Sequence, residues 1–583
     1  MADRKDLTNA ERKLFDGVKD RLEKAEGNFS ARNSMYDDIE EIFLMDWDED
    51  KPDQSEGNHI KYTTSPDARN KALGAIRLMS STNPKFSVPA DVNDEQSKEL
   101  SSKIEKYAKS IYEINNRIRG GQMHYDLVAS AVLFAEMQTG IEQTKDWVEY
   151  SKGAGKAAEK RMERIASQTP IMFQVFDPRT GYPEYDEFGL SAFFRRVTTK
   201  AGKLMDKWGE RGKGVLHSTD RNDDATFCEY WDNQIHICWI DDTDGHLLFS
   251  EHGLSVIPIV AAITDGSDIH ANEEYKRQPF LYSMWKSKLA IRQNLMLTVA
   301  YSNLFAIAAN PTFNFTANSE DRKLRPDYSV PGGYNKLLQG ESFAPLNKNT
   351  IDPAILQAWE WAKNLTTEST MYDQALGGTL QGNAAYSTYA LLSQSGRVPL
   401  ITIQKRGSFA ISQMMEKAFI LMKDAGGTSR VKSKEAGSIE MSAQDIPEDL
   451  IIDADLKIDL PQDKKMAIQI AAMAASGDHP LLDMETIRRE LLEEDQSDDI
   501  DKAIAREQFI WAKYKLALMQ MMQPPAPPPA AAPNQVQPEM QGQQDIPPEL
   551  MQQMMAEQGQ GNIMGGGVSA GNPMVEPMPV EGL

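Results

Sequence analysis

Cysteine is nearly absent: Cys228 and Cys238 are the only two in 583 residues. Two cysteines cannot staple a chain of this length, so a disulfide scaffold is excluded and folding in a reducing compartment is expected. Long hydrophobic runs are also missing. The most apolar uncharged stretch, around Leu295 to Ala309, is interrupted by Tyr301, Ser302 and Asn303. It is too short and too polar to span a bilayer. The first residues, Met-Ala-Asp-Arg-Lys-Asp, lead into charge rather than an apolar segment, so no signal peptide is read there. Together these absences predict a soluble protein with no membrane partner.

The motifs of catalysis and cofactor binding are missing as well. A phosphate loop needs Gly, four residues, then Gly-Lys-Ser/Thr, so that backbone amides wrap the phosphates. Gly155-Lys156 is followed by Ala157 and preceded at the first position by Tyr150; Gly212-Lys213 is followed by Gly214 and has Lys207 there. Both fail and read as loops. Asp242, Asp244, Gly245 and Glu251 echo a calcium loop, but Ile240 stands at its first ligand position. His217, Cys228, His236, Cys238, His246 and His252 lack paired zinc spacing, and His236 and Cys238 alternate with Ile235, Ile237 and Trp239 as in an ordinary strand. No Gly-x-Ser-x-Gly elbow and no His-Glu-x-x-His occurs. The run Gly377 to Asn383 offers a ligand loop or, more simply, a helix-to-helix connection. Asp498, Asp499 and Asp501 read as a helix start. No enzyme, cofactor or metal site is expected.

The chain is rich in acid. Its formal net charge is −23, whereas a sequence reader of DNA normally shows a basic face. Residues 6–44 read as charged helices. Ser65-Pro66-Asp67 reads as a helix start with Ser65 at the cap and a stop at Asn83-Pro84. Ile104, Tyr107, Ile111, Ile114 and Ile118 recur every three or four residues, the seam of an amphipathic helix. A second helix is expected from about Gln122 to Met137, stopping near Gly140. Strands are expected at Ile171 to Phe176 and Phe193 to Thr198, followed by a short helix capped by Thr199. Three more strands are expected between Ala225 and Ile259.

Next, Pro279 to Ala309 predicts one helix of about 31 residues and about 46 Å, without charge from Gln293 to Asn310. A helix from Pro353 to Tyr372 follows, then a long helical region interrupted between Gly396 and Pro399. Strands at 438–443 and 451–460 and helices at 464–475, 483–494 and 499–522 complete the folded part. From Gln523 onward Lys, Arg, Phe, Trp and Tyr are absent. That tail is expected to be disordered, because it cannot bury enough apolar surface to offset chain entropy.

This layout resembles the portal (head–tail connector) proteins of tailed bacteriophages, in the variant of short-tailed phages. Leu127 to Val132 before Gly140, Val175-Phe176-Asp177-Pro178, and Ser255 to Val260 resemble elements leading to that family's stem. Arg292-Gln293-Asn294 and Asn310-Pro311 resemble the stem helix running into the clip. Ile487 to Leu492 with Arg506-Glu507 resembles the crown. The resemblance covers roughly residues 10–520.

It implies a mainly helical α+β subunit. The regions are a wing of helices and a β-rich segment (1–278), a stem helix (279–310), and a clip and channel loop (311–350). A second helical half (351–425), strands with a helical crown (426–522) and the tail (523–583) follow. It implies a homo-oligomeric ring, usually of twelve, at one capsid vertex of the virion and assembled in the host cytoplasm. Double-stranded DNA passes through it without sequence specificity. The terminase large subunit docks during packaging, tail or adaptor proteins replace it, and capsid and scaffold proteins surround it. Lys348 is the expected channel cation, with Lys336, Arg322, Lys323 and Arg325 as further candidates facing DNA. Leu297 and Leu304 are expected to pack between subunits. The alternatives are another virion component, such as an internal ejection protein or a scaffold, or an enzyme with an unrecognised site.

Overall fold

The computed structural model describes residues 7–456, apart from 47–61, 91–93, 217–218, 242, 244–245, 268, 271, 310–312, 317–338, 346–352, 371–385 and 434–436. The expected helices at 464–475, 483–494 and 499–522 and the tail lie outside the described residues. The fold is mainly helical α+β.

The chain opens on α1 (Asn9–Leu44), a single 36-residue helix. Thr8 and Glu11 form a reciprocal capping box at its start, satisfying two otherwise orphan donors. Its buried residues Phe15, Val18, Leu22, Ala25, Phe29, Arg32, Tyr36 and Ile39 recur every three or four positions along one stripe. α2 (Asp67–Met79) starts later than expected. Pro66, not Ser65, holds the cap position, and the Ser65 hydroxyl accepts from the Asp67 amide at 3.3 Å. β1 (Lys85–Ser87), α3 (Glu95–Ile118) and α4 (Gln122–Leu133) follow. α4 is shorter than its expected run to Met137, because β2 (Glu136–Gln143) begins after a left-handed residue, Ala135. Gly140 therefore lies inside a strand, where Phe176 packs over it at a distance that leaves no room for a Cβ.

α5 (Thr144–Tyr150) and α6 (Lys156–Ala166) occupy a stretch in which no helix is expected from the sequence. β3 (Ile171–Phe176), β4 (Gly181–Asp186) and β5 (Gly189–Lys200) come next, then α7 (Ala201–Val215), which starts two residues after the expected Thr199 cap. β6 (Asp224–Asp232), β7 (Ile235–Ile240) and β8 (His246–Glu251) complete a five-stranded antiparallel meander, β4-β5-β6-β7-β8. β9 (Ile259–Ile263) joins a different, three-stranded sheet ordered β3-β2-β9. Residues alternate across the meander. One face sends Phe194, Cys228, Tyr230, Ile237 and Trp239 against the first half of α1. The other sends Phe227, Cys238 and Ile240 against Leu204, Met205 and Trp208 of α7.

α8 (Glu273–Lys276) and α9 (Tyr282–Lys286) precede α10 (Leu289–Ala309). The single helix expected from Pro279 to Ala309 is thus broken. The Ser287 amide and hydroxyl both donate to the Ser283 carbonyl, and Lys288 then takes a left-handed φ of 54° that no right-handed helix continues. β10 (Phe313–Thr316) pairs antiparallel with β11 (Ser342–Pro345), and α11 (Pro353–Ser369) follows. α12 (Tyr386–Ala425) runs through Pro399 without interruption, contrary to the expected break. A proline inside a helix costs about 3 kcal/mol. Here the face beyond it buries Leu400, Ile403, Ile411, Met414, Met415 and Phe419, which outweighs that cost. β12 (Thr428–Ser433) and β13 (Gly437–Ser442) pair with each other, and β14 (Asp453–Asp455) pairs with β1. The largest core joins α2, α3, α4 and α12 around Tyr36, Tyr107, Tyr112 and Phe419. Among the described residues, no helix is long and apolar enough to cross a membrane.

Candidate functional site

Two places concentrate the features that packing alone leaves unexplained. The first is the hairpin of α10 and α11, joined through β10 and β11. Thr366, near the end of α11, donates to the Gln293 side-chain oxygen near the start of α10 at 3.5 Å, so the two helices run antiparallel. The base of the hairpin is fastened by buried polar groups. The Gln293 amide donates to Asp67 at 2.7 Å, Asn294 accepts from the Ser65 amide at 2.8 Å, and Thr298 accepts from the Thr63 amide at 3.1 Å. Further out the hairpin turns apolar side chains to solvent. Val299, Tyr301 and Leu304 are exposed on α10, and Leu356 and Trp361 on α11, Trp361 at 63%.

Of the expected packing residues, Leu297 is half-buried within the protomer and Leu304 is 47% exposed. Lys348, Lys336, Arg322, Lys323 and Arg325 lie outside the described residues, as does the Gly377 to Asn383 run.

The second place is a buried polar cluster between the meander and the layer of β2, α5 and α7. Strand register sets it up: Glu229 on β6 faces Cys238 on β7, Trp231 faces His236, and Arg195 on β5 faces Glu229. The Glu229 carboxylate accepts from Trp231 Nε1 at 2.9 Å and lies 3.2 Å from His236 Nε2, with Arg195 at 3.7 Å. The His236 ring stacks on Trp231 at 3.5 Å, and Cys238 Sγ lies 3.1 Å from its Nε2. Lys207 pairs with Glu142 at 3.1 Å, and the Trp147 indole also donates to Glu142.

Glu229, His236 and Cys238 are the three groups among the described residues whose ligand atoms converge closely enough to hold a metal ion. Spacing in the sequence could not show this, because Glu229 comes from the neighbouring strand. Cys228 points to the opposite face of the sheet, into the α1 core. The cluster already balances its charge: Glu142 and Glu229 face Lys207 and Arg195. Nor does it suit nucleophilic catalysis. Burial pushes the Cys238 thiol well above its ordinary range, and the neighbouring Glu229 charge adds to that. The adjoining space, about 50 Å³, is large enough for a water molecule or two and too small for a substrate.

Burial alone would raise the Glu229 carboxyl. The hydrogen bond and charge interaction with His236, together with Arg195 and Lys207, outweigh it and hold the group down to about 2. Burial depresses His236 against the opposing pull of Glu229. Acid is therefore expected to weaken this layer in two stages. Below the ordinary histidine range the unfolded chain takes up a proton that folded His236 resists. The Glu229 contribution is complete above the ordinary carboxylate range and is lost as pH falls toward 2. Guanidinium unfolding followed by tryptophan fluorescence is expected to give a lower midpoint at pH 4 than at pH 7. His236→Gln is expected to remove the upper part of that loss; an unchanged pH profile in this variant would contradict the assignment.

No protein-family model matches the chain, and no curated protein matches it. Several solved structures align over much of its length. The neck of an empty gene transfer agent particle, computed with C6 symmetry, has 11% identity, covering 74% of this chain and 91% of that one, at a TM-score of 0.37. The neck of the native particle, computed with C12 symmetry, has 10% identity, covering 73% and 89%, at 0.35. A chain of the native gene transfer agent virion has 10% identity, covering 74% and 90%, at 0.39.

Proposed function

We propose that the chain is a portal subunit: a structural component that assembles into a closed ring at one capsid vertex, with DNA passing through the centre. The observation that carries this reading is the helix–strand pair–helix hairpin, α10-β10-β11-α11, with its exposed apolar side chains. In the resemblance drawn from the sequence, that hairpin corresponds to the stem running into the clip and back. An acidic protein that leaves Val299, Tyr301, Leu304, Leu356 and Trp361 in water gains free energy by covering them, at about 25 cal/mol for each Å² of apolar surface removed. Copies related by rotation cover such a surface in a head-to-tail contact that closes into a ring.

The terminase, tail and capsid partners belong to this same proposal, as do the vertex location and DNA passage. The buried cluster around Glu229 serves it as an ordered layer of the wing. Electron microscopy of the purified chain tests the reading. Rings with an axial opening are expected, and a monodisperse monomer at all concentrations would overturn it.

A further inference from the structure

Against the charge of −23, one groove of the molecule is lined by cations. A groove of about 470 Å³ is lined by Arg117 and Ile118 from α3, Arg161, Arg164 and Ile165 from α6, and Lys432 from β12. None of its lining residues is acidic. Arg117, Arg161, Arg164 and Lys432 are exposed, and their side chains pair with no carboxylate among the described residues. A second groove of similar volume shares Arg161 and adds Lys156; there Asp206 is already paired with Arg221 at 2.8 Å.

The cations therefore form a strip along α6, continued by α3 and β12. Its apolar floor comes from the end of the α3 seam, where Ile114 and Ile118 are only half-buried. Leaving like charges side by side without counter-charges costs free energy that an anion recovers. Three of the four groove cations are arginines, whose planar fork matches phosphate oxygens two at a time.

We infer that this strip binds the phosphate backbone of double-stranded nucleic acid, without reading its sequence. A row of separated cations fits an anion repeated along a backbone. Isoleucine methyl groups between them suit sugar faces, and contacts to phosphate carry no sequence information. The inference stands apart from the channel of the proposed ring, since it concerns the wing elements α3, α6 and β12.

The test uses the full-length protein and short DNA duplexes of two unrelated sequences, with fluorescence anisotropy at several salt concentrations. The expected result is equal, salt-sensitive binding of both duplexes. The triple variant Arg117→Gln, Arg161→Gln, Arg164→Gln is expected to weaken binding at least tenfold. It should also flatten the plot of log K against log salt by about 2 to 3 units, about 0.9 for each phosphate that the variant no longer neutralises. These side chains are exposed, so the variant is expected to keep the parent's circular dichroism. Undetectable binding by the parent, or binding unchanged in affinity and salt slope in the variant, would overturn the inference. So would a parent that holds polyglutamate more tightly than DNA, which would make the strip a dock for acidic peptide. Duplex binding by a protein that forms no rings would sink the portal reading and leave the strip standing.

Discussion

Glu136→Gln is expected to destabilise the protein by about 3–5 kcal/mol, the usual cost of leaving a buried charge without its partner. Glu136 opens β2 and is fully buried. Its carboxylate accepts from Arg277 Nε at 2.5 Å, from the Tyr36 hydroxyl at 2.9 Å and from Gln138 at 2.8 Å, with Arg32 at 3.4 Å. Burial alone would raise this carboxyl, but Arg277 and Arg32 together hold it below its ordinary value. The group ties α1, β2 and the segment before α9 into one joint. Glutamine keeps the shape but removes the charge and places an N–H among donors. Arg32, also fully buried, would keep only Asn33 and the Pro178 and Gly181 carbonyls. A guanidinium midpoint that falls clearly for Glu136→Gln and only slightly for the half-buried Glu184→Gln, whose partner Arg21 also reaches water, is the expected outcome. A loss of under about 1 kcal/mol would show that the arginines find other partners.

The second large effect concerns assembly. Leu304→Asp is expected to leave the protomer folded and abolish rings. Leu304 is 47% exposed, so aspartate there meets water in the single chain. In the proposed ring the same position is covered, and an unpaired carboxylate costs several kcal/mol at every subunit contact. Light scattering is expected to report rings for the parent and small species for the variant, with unchanged circular dichroism. Complete rings from Leu304→Asp would show that this face stays open to solvent. Leu297→Asp is a less clean probe, because Leu297 is half-buried within the protomer and its replacement also weakens the fold.

Much of the local structure was legible because a helix or strand advertises its buried side by period. The α3 seam and strands β5 to β8 of the meander follow from such spacing, whereas residues 6–44 read only as charged helices, and the buried stripe of α1 from Phe15 to Phe29 emerged from its packing on the meander. The departures arose where a single residue's backbone or distant packing prevailed. Lys288 in a left-handed conformation broke the expected stem helix, and burial along α12 kept Pro399 inside a helix.

What the sequence determined by itself is the mainly helical α+β composition, the acidity, the lack of phosphate-loop and hydrolase motifs, and the apolar, charge-free run from Gln293 through the rest of α10. Each depends only on residue type and near neighbours along the chain. What only the tertiary structure decided is which distant residues meet. Glu136 joins Arg32 and Arg277 from positions more than a hundred residues away. Glu229 meets His236 and Cys238 across a strand pair, and Arg117, Arg161 and Lys432 line one groove from three separate elements. Pairing of that kind is set by how whole helices and sheets bury their faces against one another, and no short-range period in the chain encodes it.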